Sequence, residues 1–177
     1  HPADDDLAAW QRLLINLELM TSAADLAVPT IDGLLLFGRQ PRRFLPQAGI
    51  RAIAYAGTEP DYAVRADQDL KAPILPLLAE NGDLVEIGLI EQALDFINRN
   101  TEPGAHLVGA RREDRPAYPV AVLREVMVNA VAHRDYAVVG ADILLAVYIP
   151  PDFSQNLEAV RPAQIVFKQR GNGGTAR

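Results

Sequence analysis

The sequence lacks cysteine altogether, which excludes disulfide bonds, thiolate nucleophiles and cysteine-ligated zinc sites. It also lacks a long apolar run, because the apolar stretch at residues 33–37 is far too short to span a bilayer. Residues 1–6 carry neither the basic nor the apolar segment that begins a secretory signal. These absences predict a cytoplasmic protein with no membrane partner.

Acidic residues are missing from residues 39–58, although the whole chain has a net charge of −6. The basic residues of this stretch are Arg39, Arg42, Arg43 and Arg51. Such a local patch can contact the phosphates of a nucleic acid, whereas the overall charge disfavours non-specific nucleic-acid binding by the whole chain. A solvated surface is the commoner meaning of a charge run, so both interpretations stay open here.

The spacing of apolar residues predicts three helices. They begin at Leu7 after an aspartate cap, run across residues 84–98, and begin near Pro119 to end around residues 134–136. Continuous or alternating apolar runs predict strands at residues 34–37, 50–55, 106–111, 143–148 and 164–168. The first two of these strands are expected to be antiparallel neighbours. Residues 61–83 are expected to be extended, with a turn at residues 81–83.

This interleaving predicts an α+β (mixed α/β) fold in which helices pack on one mostly antiparallel or mixed sheet. A chain of 177 residues is long enough for one domain with a core. A division near residue 60 separates an N-terminal helix and strand pair (1–60) from the remaining α/β region (61–177). The two segments could equally form one continuous domain.

Three polar residues of the last predicted helix, Glu125, Asn129 and His133, are spaced four apart and therefore share one helix face. A carboxylate, an amide and an imidazole in this arrangement could activate water, bind a metal ion and donate to a phosphate. The alternative is an ordinary exposed face of an amphipathic helix, with His133 and Arg134 interacting favourably with the helix dipole at its C-terminal end.

Two segments of the chain resemble a known bacterial family. Residues 123–136, LREVMVNAVAHRDY, are similar to the LREALVNALVHRDY signature of the RecG-related helicase and transcriptional-regulator family. Residues 29–41, PTIDGLLLFGRQP, are similar to a second segment of that family, and the two occur in the family's order. The likeness extends roughly over residues 29–146.

The resemblance implies a Schlafen/AlbA-type DNA-binding domain followed by a domain related to GHKL ATPases, which is a two-layer sandwich. The signature helix occupies the place of the GHKL N-box, E-x-x-x-N. By position, Glu125 would then be the catalytic base that polarises water, and Asn129 the ligand of a magnesium ion bound with ATP. His133 and Arg134 are grouped with the expected cofactor-binding residues, although the GHKL fold assigns them no general role.

The sequence also departs from that pattern. A GHKL site needs a later aspartate–glycine segment and a second glycine box, whereas the only candidate here is the glycine cluster at residues 171–174, with no aspartate nearby. The DNA-binding domain is largely absent as well, so the chain looks like a central fragment of a longer protein. No Walker lysine motif is present, which argues against a helicase motor in this chain.

The expected function is therefore a regulatory and assembly module of a DNA-binding transcriptional regulator with a partial or vestigial GHKL-type nucleotide site. Its DNA contacts would come mainly through a domain outside this chain, and an apolar sheet edge at residues 34–37 could pair with a second copy. The alternative is a competent domain that binds Mg-ATP and hydrolyses it, at most weakly.

Overall fold

The computed structural model describes residues 2–3, 5–57, 63–101, 104–108, 111–115, 118–140, 142–149 and 164–169. The helices of this part of the chain are α1 (Leu7–Asn16), α2 (Ile31–Phe37), α3 (Leu89–Asn100) and α4 (Val120–Ala132), with a 3₁₀ turn at Pro41–Arg43. The strands are β1 (Met20–Ala23), β2 (Leu26–Pro29), β3 (Ile50–Ala56), β4 (Val64–Leu70), β5 (Leu77–Leu78), β6 (Leu84–Glu86), β7 (Gly104–Val108), β8 (Arg111–Arg115), β9 (Ile143–Ile149) and β10 (Gln164–Gln169).

The largest sheet has four strands in the order β10-β9-β3-β4. Its outer pairs are antiparallel, whereas the central pair, β3 and β9, is parallel and in register from Ile50 opposite Ile143. The predicted α+β class with a mixed sheet is therefore confirmed. The sheet includes strands from both sides of residue 60.

The core lies between this sheet and helices α3 and α4. On β3, the residues Ile50, Ala52 and Ala54 are fully buried and alternate with more exposed neighbours, as expected for a strand covered on one face. Phe96 and Ile97 of α3 pack into the same cluster, together with Met127 of α4. Burial of apolar surface at this interface holds α4, and thus the predicted site helix, on the sheet.

Residues 34–37 are not a strand, and the prediction of a sheet edge there was wrong. They form the second half of α2, which begins after Thr30, whose side chain accepts a hydrogen bond from the Gly33 N–H at 3.1 Å. Asp32 in the first turn adds a favourable charge at the helix N-terminus. The expected antiparallel pairing with β3 is consequently absent, and so is the edge proposed for self-association.

Two further boundaries differ from the predictions. Residues 84–86 pair with β5 as the strand β6, so the helix expected from Leu84 begins only at Leu89. The single strand expected at residues 106–111 is a hairpin of β7 and β8. No helix in the described ranges is both long and apolar enough to cross a membrane.

Candidate functional site

Helix α4 carries the candidate site and packs against the core through one face only. Pro119 precedes its first turn with φ −60°, a dihedral already suited to helix entry. Leu123, Met127 and Val131 follow at four-residue spacing and are buried against the rest of the core. Val122, another apolar residue of this helix, is 55% exposed, so the buried stripe is narrower than the apolar residues of the helix alone would suggest.

Glu125 and Asn129 lie on the exposed part of α4, as their spacing predicted. The Asn129 side-chain amide donates a hydrogen bond to a carboxylate oxygen of Glu125 at 3.1 Å. Both side chains remain accessible to a ligand. The pair can thus offer a carboxylate and an amide oxygen at one place, which is the arrangement the N-box resemblance requires.

The helix ends earlier than the sequence predicted. Its last residue is Ala132, and His133 is the C-terminal capping residue, with its N–H bonded to the Asn129 carbonyl at 3.0 Å. His133 is exposed. Residues 134–136, expected as the end of the helix, lie beyond it and are not helical.

Arg134, which was grouped with the expected cofactor-binding residues, is not exposed as Glu125, Asn129 and His133 are. It is 6% exposed, and its guanidinium carbon lies 5.5 Å from the centre of the Tyr136 ring. Its Nη2 donates to the Val138 carbonyl oxygen at 3.3 Å, which closes the turn after α4. A cation placed over an aromatic ring in this way is stabilised by the ring's quadrupole.

Tyr136 fixes the same turn from the other side. Its hydroxyl donates to the Val131 carbonyl oxygen at 3.0 Å, and its own carbonyl oxygen accepts a hydrogen bond from the Gln47 side-chain amide at 2.5 Å. Asp135 accepts from the Ala137 N–H at 2.9 Å, a local bond typical of an Asx turn. Burial raises the pKa of Tyr136 to about 12; nearby Arg134 opposes the increase and Asp32 adds to it.

These contacts divide the signature segment into two functional parts. Glu125 and Asn129 face outward, whereas Arg134 and Tyr136 hold the chain as it leaves the helix. The sequence did not single out Tyr136 or Gln47. The only signal for Tyr136 was its place in the family signature, and nothing local to Gln47 indicates its bond to a residue so distant in the chain.

We found no family model that matches this chain, and no curated protein or solved structure that is significantly similar to it. The resemblance of residues 29–41 and 123–136 to the RecG-related family thus stays a prediction.

Two residues of the predicted arginine patch form ion pairs with aspartates of β4. Arg42 Nη1 lies 2.6 Å from Asp69, and Arg51 binds both carboxylate oxygens of Asp67, at 3.2 and 2.8 Å. The hydrogen bonding of Arg51, which donates to Asp67, is the largest factor raising the pKa of Arg51. Partial burial of Asp69 acts to raise its pKa. The hydrogen bonds that Arg42 and Lys71 donate to Asp69 outweigh this effect and lower the pKa.

Arg39 and Arg43 are exposed, and no acid pairs with them among the described residues. Arg43 lies over the ring of Phe44 at 5.8 Å. A contact with nucleic acid through all four arginines would therefore have to compete with two existing ion pairs. The patch stays a prediction, with Arg39 and Arg43 as its accessible members.

A magnesium ion with ATP would find only part of a site in the described residues. No group of three histidine or acidic side chains suited to a metal ion occurs there. Asn129 and Glu125 could supply two oxygens to a magnesium ion that is otherwise held by phosphates and water, a common arrangement for this ion. The glycine cluster at residues 171–174, which would have to contribute backbone N–H groups to the phosphates, lies outside the described residues.

Proposed function

We propose that this chain is a regulatory and assembly module of a DNA-binding transcriptional regulator, with an incomplete GHKL-like nucleotide site. The Glu125–Asn129 pair carries the proposal. It has the N-box spacing, is accessible on α4, and lies on a helix that packs against a mixed sheet and is followed by two antiparallel strands. The resemblance to the RecG-related family supports the same assignment.

We propose an incomplete site because few other nucleotide-binding groups accompany the Glu125–Asn129 pair. Glu125 and Asn129 share one hydrogen bond. The sequence offers no aspartate near its glycine cluster to read adenine. In such a site a nucleotide would gain few of the backbone hydrogen bonds that normally bind phosphate. We therefore expect weak binding or none.

Isothermal titration with Mg-ATP and with a non-hydrolysable analogue tests this expectation. We expect a dissociation constant weaker than about 100 µM, which corresponds to about −5.5 kcal/mol. Asn129→Ala is compared with Asn98→Ala, which removes another exposed helical asparagine from α3. Tighter binding that is lost in Asn129→Ala and kept in Asn98→Ala contradicts the incomplete-site proposal.

The second candidate is a competent domain that binds and hydrolyses Mg-ATP. The accessibility of Glu125 favours it, because a general base must reach the attacking water. In that case Glu125→Gln should retain nucleotide binding and lose phosphate release, whereas the first proposal predicts no release from either protein. A release rate above background in the unmodified chain, abolished in Glu125→Gln, would select this candidate.

DNA binding is proposed mainly for a domain outside this chain, with Arg39 and Arg43 as accessible contacts within it. A gel shift compares Arg39→Ala/Arg43→Ala with Arg99→Ala/Arg124→Ala. The second pair removes the same charge from helices α3 and α4. If the patch contacts phosphates, only the first double variant weakens binding and flattens its dependence on salt. Equal effects of the two double variants would reject the patch.

The assembly part of the proposal concerns the oligomeric state of the chain. Sedimentation velocity over a range of protein concentrations should show a species larger than the monomer. A monomer at every concentration would remove assembly from the proposal and leave its nucleotide part unaffected.

A further inference from the structure

A cavity of about 350 Å³ lies between helices α2, α3 and α4. Most of its wall is apolar and includes Leu36, Ile90 and Val128, one from each helix. Three polar side chains also line it, those of Asp32, Arg134 and Tyr136. The volume falls within the range of about 300–1,000 Å³ that is typical of small-molecule sites, which are likewise mostly apolar with a few convergent polar groups.

Arg134 is the buried charge of this cavity. Among the described residues it has no ion-pair partner, its Nε is enclosed without an acceptor, and Nη2 alone donates a hydrogen bond, to Val138. A buried guanidinium has five N–H donors to satisfy, and leaving them without acceptors costs free energy. Arg134, which lines the cavity, is therefore under-satisfied.

Two other features stabilise Arg134, but neither supplies an acceptor for its free N–H groups. The C-terminal end of α4 favours a nearby cation through the helix dipole. The ring of Tyr136 adds a cation–π interaction. Both compensate the positive charge through space, and neither provides an acceptor for the N–H groups that Val138 leaves unbonded.

The charge of the cavity wall limits what that group can be. Arg134 contributes one positive charge, and Asp32, which also lines the cavity, contributes a carboxylate. Asp32 repels any anion, and it would repel a group with two negative charges, such as a phosphate, more strongly than a group with one. A single carboxylate matches the planar fork of the guanidinium, and the apolar wall matches a hydrocarbon body.

We propose that the cavity between α2, α3 and α4 binds a small monocarboxylate with an apolar body, whose carboxylate is held by Arg134. The site is separate from the Glu125–Asn129 pair, because neither of those residues lines the cavity. It adds a small-molecule effector to the proposed regulatory role without depending on nucleotide binding.

The probe for this site is 3-phenylpropanoate, with the uncharged 3-phenylpropanamide as its isostere, measured by isothermal titration. We expect the carboxylate to bind at least about tenfold more tightly than the amide, as expected for a charge-assisted contact. Arg134→Gln should remove this difference by weakening only the carboxylate. Circular dichroism confirms that the variant is folded.

A second pair of variants tests the cavity without touching the charge. Val128→Trp places a large ring at a lining position that is 44% exposed, and should weaken 3-phenylpropanoate at least about tenfold by occupying the cavity. Val122→Trp makes the same change on the same helix, at a position outside the lining. It should leave affinity unchanged.

The proposal is overturned if 3-phenylpropanoate does not bind at millimolar concentration, or if it binds no more tightly than the amide. It is also overturned if Val128→Trp and Val122→Trp lose the same affinity for 3-phenylpropanoate, or if inorganic phosphate binds as tightly as the carboxylate. Displacement of the probe by Mg-ATP, or its loss in Asn129→Ala, would show that the cavity belongs to the nucleotide site. Unchanged probe binding in Asn129→Ala supports a separate site even if the nucleotide proposal fails.

Discussion

The Glu125–Asn129 pair and the Arg134–Tyr136 pair belong to one short segment, yet they differ in almost every physical respect. The first pair is exposed and its two members bond to each other. The second is largely buried and bonds to the backbone of Val131 and Val138. The difference shows that a contiguous motif can combine residues for ligand chemistry with residues that fix the chain behind them.

The largest expected effect is a loss of folding stability on changing Tyr136, which distinguishes the buried pair from the exposed pair. Tyr136→Ala removes a half-buried ring, its hydroxyl bond and its contact with Arg134, and should lower the free energy of unfolding by about 3 kcal/mol. Glu125→Ala is the control from the exposed pair. Urea unfolding at neutral pH measures both. A loss below about 1 kcal/mol for Tyr136→Ala would erase the contrast between the pairs.

A subtler change tests the Tyr136 hydroxyl alone. Tyr136→Phe should cost about 1 kcal/mol at neutral pH because the bond to the Val131 carbonyl is lost. Folding raises the pKa of Tyr136 to about 12. The stabilisation from the neutral hydroxyl is therefore complete below about pH 10, the unfolded value, and is lost as pH rises through about 12.

Urea unfolding of both proteins from pH 7 to about pH 11.5 measures this dependence. The difference between Tyr136 and its Phe variant should shrink above about pH 10, since phenylalanine does not ionise. A constant difference across the whole series would show that the hydroxyl is not protected by burial.

Arg134 should behave in the opposite way to Tyr136. Because its buried guanidinium is under-satisfied, Arg134→Met should leave the free energy of unfolding unchanged or raise it by about 1 kcal/mol when no ligand is present. Thermal unfolding with and without 3-phenylpropanoate measures this. A loss above about 2 kcal/mol without ligand would mean that Arg134 is kept for the turn and not for a bound anion.

The smallest effects are expected for the exposed pair. Glu125→Gln and Asn129→Ala should each change the free energy of unfolding by less than about 0.5 kcal/mol, since both side chains lie in solvent. Urea unfolding checks this under the conditions used for Tyr136→Ala. A loss above about 1 kcal/mol for either variant would make the pair structural and remove the reason to assign it a ligand.

Elements with strong local signals were predictable from the sequence. The strands at residues 50–55 and 143–148 are confirmed. Each is a six-residue alternating or apolar run with glycine or proline close to its end, which favours a strand. The helix beginning at Pro119 was also predicted, although its exposed valines made the apolar face look wider than the buried one. Periodicity reports which residues are apolar, and packing decides which of them are covered.

Residues 34–37 show where such reasoning fails. A four-residue apolar run fits a buried strand and a buried helix equally well. The helix is favoured by the residues just upstream of the run, because Thr30 caps its N-terminus and Asp32 places an acid in its first turn. That capping signal was present in the sequence, but the apolar run received more weight.

The hairpin of β1 and β2 could not have been found from turn residues. Its two-residue turn places Ala24 and Asp25 at φ 49° and 64°, a conformation that normally selects glycine or asparagine at such positions.

For the candidate site, the four-residue spacing alone was enough to predict that Glu125 and Asn129 lie together. The burial of Arg134 depends on α2 and on Tyr136, and therefore on contacts that spacing does not encode.

The parallel pairing of β3 with β9 bears on how the molecule reaches its native state. Ile50 must find Ile143 across most of the described chain, whereas β4 follows β3 closely and can pair with it early. Contacts so distant in sequence form slowly, because the intervening loop must first be closed. Until β9 arrives, one apolar edge of β3 is open to pairing with other chains. We therefore expect folding yield, more than final stability, to be sensitive to changes in β9.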